Sequence, residues 1–193
     1  SHLMKIPADY IIIPNPVFTV YESQPCREPR VIASSSEINM IAENSPLPKF
    51  ELSDANGSVV KSSDLKGKKC VIYFYPKDFT PGCTIEADEF SKDYKKFQKA
   101  GIEIVGISKD DVESHRKFCD KMKIPYILLA DTKTTVSKLF GVWGKKKFMG
   151  REYMGINRST FLVNKNGKIF KVFEKVKAKG HSKEVLEVYE TVK

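Results

Sequence analysis

The chain has no Cys-x-x-Cys pair, and its four cysteines, Cys26, Cys70, Cys83 and Cys119, stand well apart. Four-cysteine zinc sites need close pairs, so that class is excluded, and a dithiol oxidoreductase of the C-x-x-C kind is disfavoured. Histidine is scarce. The three present, His2, His115 and His181, are isolated from one another, so neither a metal site nor a cofactor is expected. Long apolar runs are missing too: none approaches the roughly 20 residues that span a bilayer. Ile11-Ile12-Ile13 is too short for the core of a signal peptide and lacks a basic lead-in. No membrane partner is expected, and a cytoplasmic setting is, although Ser1-His2-Leu3-Met4 reads as a cloning remnant and leaves targeting open.

Basic charge is in excess, and it is unevenly placed. The 193 residues carry a net charge of +9. Residues 1–43 contribute −2, which leaves +11 on the remainder. Such a balance invites a nucleic-acid reading. The lysines, however, are scattered through every element, with one short cluster at Lys145-Lys146-Lys147, and no nucleic-acid module accompanies them. A solvated basic surface is the expectation.

Residues 1–45 are punctuated by Pro14, Pro16, Pro25 and Pro29, which break any element before it grows. They read as an N-terminal extension, disordered in part or laid on the domain, with Cys26 as an incidental thiol or an intermolecular disulfide partner. The domain is expected over 46–193. Asn56-Gly57 between short alternating runs signals a hairpin. Apolar runs at Cys70–Tyr75, Ile102–Ile107, Tyr126–Ala130, Thr160–Val163 and Ile169–Phe173 read as strands, and Cys70 within its run as a buried, inert thiol. Helical spacing follows Cys83, then recurs over Asp111–Met122, Val136–Phe140 and Glu184–Val192. Gly141–Gly155 reads as a glycine- and lysine-rich loop. Strands alternating with helices, closed by a hairpin and a helix, predict an α/β domain with a mixed central sheet flanked by helices.

One stretch carries the chemistry: Pro76-Lys77-Asp78-Phe79-Thr80-Pro81-Gly82-Cys83-Thr84-Ile85-Glu86. It joins the strand at Val71–Tyr75 to a helix with Ala87, Phe90, Tyr94 and Phe97 three or four apart. Thr80 suits the N-cap and Pro81 the position after it. Cys83 then falls in the first helical turn, where unpaired N–H groups and the helix dipole favour thiolate over thiol. A small buried cysteine at a helix start is the competing reading.

Pro76-x-x-x-Thr80-x-x-Cys83 resembles the active-site signature of peroxiredoxins. The longer string from Tyr75 to Ala87 resembles the Q-type subgroup, also called bacterioferritin comigratory proteins. Gly150 to Leu162, with Arg158, is similar to the family's downstream block. The resemblance covers roughly residues 46 to 193. It implies a thioredoxin-like fold and a monomer. It also implies a thiol peroxidase that reduces hydrogen peroxide and organic hydroperoxides. Cys83 becomes the peroxidatic nucleophile, with Thr80, Arg158, Pro76 and the Gly82 backbone about it and Glu86 in support, unless Glu86 is merely a helix-start acid. A sulfenic acid forms on Cys83. A second thiol and then thioredoxin or a similar dithiol would return it to the thiolate. Many Q-type members place the resolving cysteine five residues after the first. Here that position is Asp88. A second class in the family places it on the following helix, which Cys119 matches. A one-cysteine enzyme using an external thiol stays open, as does Cys119 as core packing. A redox-sensing holdase, reacting once per chain, is the rival from another class.

Overall fold

The computed structural model describes residues 39–192. The expectations for the chain before residue 39, Cys26 among them, lie outside the described residues. The strand β3 (Lys69–Phe74) is the spine, buried along nearly its whole length. Its side chains alternate between two cores. Cys70, Ile72 and Phe74 enter one, and Val71, Tyr73 and the following Tyr75 enter the other. A strand buried on both faces reads as an unbroken apolar run, which is how Cys70–Tyr75 looks in sequence.

Around it are β1 (Glu51–Asp54), β2 (Val59–Lys61), β4 (Ile102–Ser108), β5 (Ile127–Ala130), β8 (Ser159–Val163) and β9 (Ile169–Phe173). Together they form a seven-stranded sheet in the order β2-β1-β5-β4-β3-β8-β9. β3, β4 and β5 run parallel, whereas β1, β8 and β9 pair antiparallel with their neighbours. The sheet is therefore mixed. The helices α1 (Pro81–Lys99), α2 (Val112–Met122) and α4 (His181–Thr191) bury Phe90, Phe97, Phe118, Val185 and Tyr189 on one face. The short α3 (Thr135–Leu139) puts Val136 on the other, next to Phe140. None of the helices of the described residues is long and apolar enough to cross a membrane.

Chain ahead of the expected domain start is already engaged. Ile41 N–H donates to Phe140 O at 3.2 Å and Asn44 N–H to Ile169 O at 2.6 Å, and Pro46 bridges Lys168.

Gly141–Gly155 is not a loop. It holds most of a two-stranded hairpin, β6 (Trp143–Phe148) and β7 (Arg151–Ile156), outside the main sheet. Met149 and Gly150 both have positive φ, 48° and 77°, at its two-residue turn. That backbone twist matches the flanking strands. Three consecutive lysines hide the alternation: Lys145 pairs with Met154, Lys146 with Tyr153 and Lys147 with Glu152. Of the three, only Lys146 is half-buried, its stem lying against Gly155, where an apolar residue would normally announce the strand.

Candidate active site

The Pro76–Glu86 stretch leaves the C-terminal end of β3, the edge at which parallel α/β sheets gather their sites. Thr80 occupies the N-cap of α1 with extended backbone, and Pro81 follows at the first helical position. The Thr80 hydroxyl, however, caps nothing. It donates to Lys77 O at 3.0 Å. The N-cap expectation thus holds for the backbone and fails for the side chain. With its proton committed to Lys77, the hydroxyl turns lone pairs, not a hydrogen, toward its surroundings. Pro76 is half-buried at the start of the loop, and Phe79 at its crest takes φ 61°, a left-handed conformation that is costly for an aromatic residue.

Cys83 is 2% exposed in the first turn of α1. Arg158 Nη2 donates to its sulfur at 3.3 Å. Strand pairing explains how a residue so distant arrives there. β8 lies antiparallel on β3 with Ser159 opposite Phe74. The residue just before β8 therefore sits over the point where β3 gives way to the Cys83 loop. Gly82 makes room: a Cβ there would stand 3.0 Å from Arg158 Nη2.

Glu86, one turn on from Gly82, is buried and is no simple helix-start acid. Its Oε2 accepts from Arg158 Nη1, while Oε1 has no hydrogen-bond partner. Burial pushes its carboxyl up to about 7, against the pull of the Arg158 charge. Burial also opposes the Arg158 charge, but Glu86 and Cys83 outweigh it and hold the guanidinium above its ordinary range. A fixed cation with planar donors thus spans one carboxylate and one sulfur. Such a donor stabilises charge on sulfur and on any oxygen bound beside it.

Three further residues reach this neighbourhood without a sequence signal. Lys146, from β6, donates Nζ to Ile156 O at 2.9 Å. Burial, then Arg158, hold it below the usual lysine range, while the nearby Cys83 opposes them. Asp78 and His115 are both buried and meet behind the loop at 2.8 Å. Nothing in spacing pairs a loop aspartate with a histidine on another helix.

The other thiols among the described residues, Cys70 and Cys119, stand apart from Cys83. Cys70 is wholly buried, and burial together with Glu103 raises its thiol far above the ordinary range. Cys119, in the last turns of α2, is half-buried, and burial, then Asp78, push it up to about 11. It lines a surface cleft of about 420 Å³ with Tyr94, Glu103 and Tyr126, a cleft that does not include Cys83. All three are free thiols, so Cys83 and Cys119 are not joined here. Among the described residues no group of three or more His, Cys, Asp or Glu could hold a metal ion.

This arrangement has close relatives. A model of the AhpC/TSA family matches residues 44–172. "Peroxiredoxin Bcp" of Bacillus subtilis is 47% identical over 140 residues, covering 72% of this chain and 89% of that protein. The Xanthomonas campestris peroxiredoxin Q structure superposes with a TM-score of 0.70 at 38% identity, covering 74% of this chain and 90% of that one. A bacterioferritin comigratory protein of the same organism, solved in work on its alkyl peroxide reduction activity, gives a TM-score of 0.70 at 37% identity, covering 73% and 90%. With Cys83, Arg158 and Glu86 assembled at the start of α1 on a thioredoxin-like sheet, the chain belongs to the AhpC/TSA family, among the Bcp or Q-type peroxiredoxins, which are thiol peroxidases.

Proposed function

We propose that Cys83 is the peroxidatic nucleophile, that Arg158 stabilises the charge on its sulfur and on the departing oxygen, and that Cys119 resolves the product. The observation that carries this reading is the Arg158 Nη2 donor 3.3 Å from the Cys83 sulfur at a helix start. The Cys83 thiolate attacks one peroxide oxygen, and the O–O bond breaks. The other oxygen leaves with the electron pair and takes a proton, giving water or an alcohol, and Cys83 becomes a sulfenic acid. Glu86 fixes the guanidinium. Gly82 and Cys83 backbone N–H groups and the Thr80 oxygen line the approach, and Pro76 shapes the loop. Organic hydroperoxides join hydrogen peroxide as substrates, by analogy with the alkyl peroxide activity of the Xanthomonas relative.

Cys119 then condenses with the sulfenic acid, forming the disulfide and releasing water, and thioredoxin or a similar dithiol reduces it. The two thiols start on separate helices, Cys83 in the first turn of α1 and Cys119 in the last turns of α2, and on this reading parts of both unwind to bring the sulfurs to bonding distance. The monomer, the cytoplasmic setting and the division into residues 1–45 and 46–193 belong to the same proposal. The three free thiols among the described residues fit a reducing compartment. The test is peroxide consumption with thioredoxin, thioredoxin reductase and NADPH. Cys83→Ser is inactive on this reading. Cys119→Ser reacts once with peroxide but does not turn over. Normal cycling by Cys119→Ser would make the enzyme one-cysteine, with Cys119 as packing.

A further inference from the structure

The loop that carries Cys83 and the helix that carries Cys119 are fastened to each other. Asp78, in the loop, is the centre of the fastening. Its Oδ1 accepts from the Tyr75 hydroxyl at 2.7 Å. Its Oδ2 accepts from Ser114 Oγ at 2.8 Å and faces His115 Nδ1 at 2.8 Å. Ser114 and His115 lie in the first turns of α2. On the far side of the ring, Nε2 donates to Leu129 O at 3.0 Å, because a carbonyl can only accept. The backbone is held as well: Asp78 N–H donates to Asp110 Oδ2 at 2.8 Å, just ahead of α2. One residue on, the Phe79 ring meets Phe118 edge to face at 5.1 Å. Phe118 adjoins Cys119. So two successive loop residues grip the helix that bears the second thiol, and the second of them sits in a left-handed conformation.

We infer that Asp78, Ser114 and His115 are positioning residues that set how fast Cys83 and Cys119 can meet. The inference rests on Cys119 being the resolving thiol. While the clamp holds, the loop keeps Cys83 beside Arg158 and the N-terminal half of α2 stays wound. Disulfide formation needs both to loosen. Release breaks buried hydrogen bonds to Asp78, which slows the second step, and it frees Phe79 from its unfavourable φ, which helps it. A slow second step leaves the sulfenic acid open to another peroxide, which would carry it to sulfinic acid. The clamp therefore sets the division between recycling and over-oxidation.

Quenched-flow mass spectrometry on the full chain separates sulfenic acid formation from disulfide formation. Ser114→Ala removes one bond to the Asp78 carboxylate and should raise the disulfide rate by roughly tenfold or more, the worth of one bond to a charged group. His115→Asn should raise it further. In both, the sulfinic fraction at excess peroxide falls, while sulfenic acid formation holds or slows. A merely structural role would slow both steps and leave that partition where it was. Should His115→Asn not fold, Ser114→Ala alone decides. The inference is overturned if the wild-type chain forms the Cys83–Cys119 disulfide and the folded variants form it no faster. If the wild type forms no such disulfide, it is the Cys119 reading that fails, and the inference falls with it.

Discussion

Arg158 Nη2 stands 3.3 Å from the Cys83 sulfur although the two are 75 positions apart in the chain, and the same guanidinium is tied to Glu86 through its other arm. The charge on the arginine is thereby fixed in place before any substrate arrives. Preorganised charge of this kind lowers a barrier without reorganising during the reaction.

Replacing Arg158 by Met should lower the second-order rate of Cys83 oxidation by about a hundredfold, the usual cost of one donor aimed at developing charge. Arg158→Lys restores a charge but not two arms, and should recover only part of that loss. Competition against a peroxidase of known rate measures both.

Gly82→Ala should separate activity from stability. A Cβ at Gly82 would meet Arg158 Nη2 at 3.0 Å, and Glu86 leaves the guanidinium little room to retreat. Oxidation of Cys83 should slow by about tenfold. Alanine is the better helix former by about 0.5–1 kcal/mol, which offsets the crowding against Arg158, so the urea midpoint should hold. A fall in both would mean the glycine serves the fold instead.

Glu86 makes stability depend on pH. Burial, against Arg158, raises its carboxyl from an ordinary 4.5 to about 7. Between those values the folded chain keeps a proton that the unfolded chain releases. The stability this supplies is complete below the lower value, declines as pH rises, and is gone above about 7. The span corresponds to on the order of 3 kcal/mol. Glu86→Gln, which has nothing to ionise, should show a flatter profile across this window. Urea midpoints measured between the two values check it, and a parallel decline in both proteins would contradict it.

Gly106 tests the core on the face of the sheet that also carries Cys83. A Cβ there would fall 2.7 Å from Leu128 Cδ2 and 2.8 Å from Tyr73 Cζ. Tyr73 is wholly enclosed, with its hydroxyl 2.9 Å from that of Tyr126. Gly106→Ala should cost about 1–3 kcal/mol by overpacking, read as a lower urea midpoint.

What could be read from the chain alone divides along physical lines. The strand before Cys83 and the helix after it announce themselves through local periodicity, so the thiol at a helix start is legible. Arg158 is not, because its place comes from Ser159 lying opposite Phe74 in an antiparallel pair, and pairing leaves no mark in spacing. Only the family resemblance supplied it. The β6–β7 hairpin was hidden because lysines occupy positions where a strand usually shows apolar residues. Asp78 and His115 escaped for a third reason: two polar residues on separate elements reveal a bond only after folding has buried both.

Trp143 opens β6 opposite Ile156, packs against the core on the face away from Cys83, and has Lys109 Nζ 6.0 Å from its ring centre. It is the only tryptophan in the chain. The tryptophan emission of the protein therefore originates beside the strand that ends two residues before Arg158. A chemical state of the thiol that shifts this strand or its lysine neighbour would change that emission, giving a label-free optical signal at Trp143.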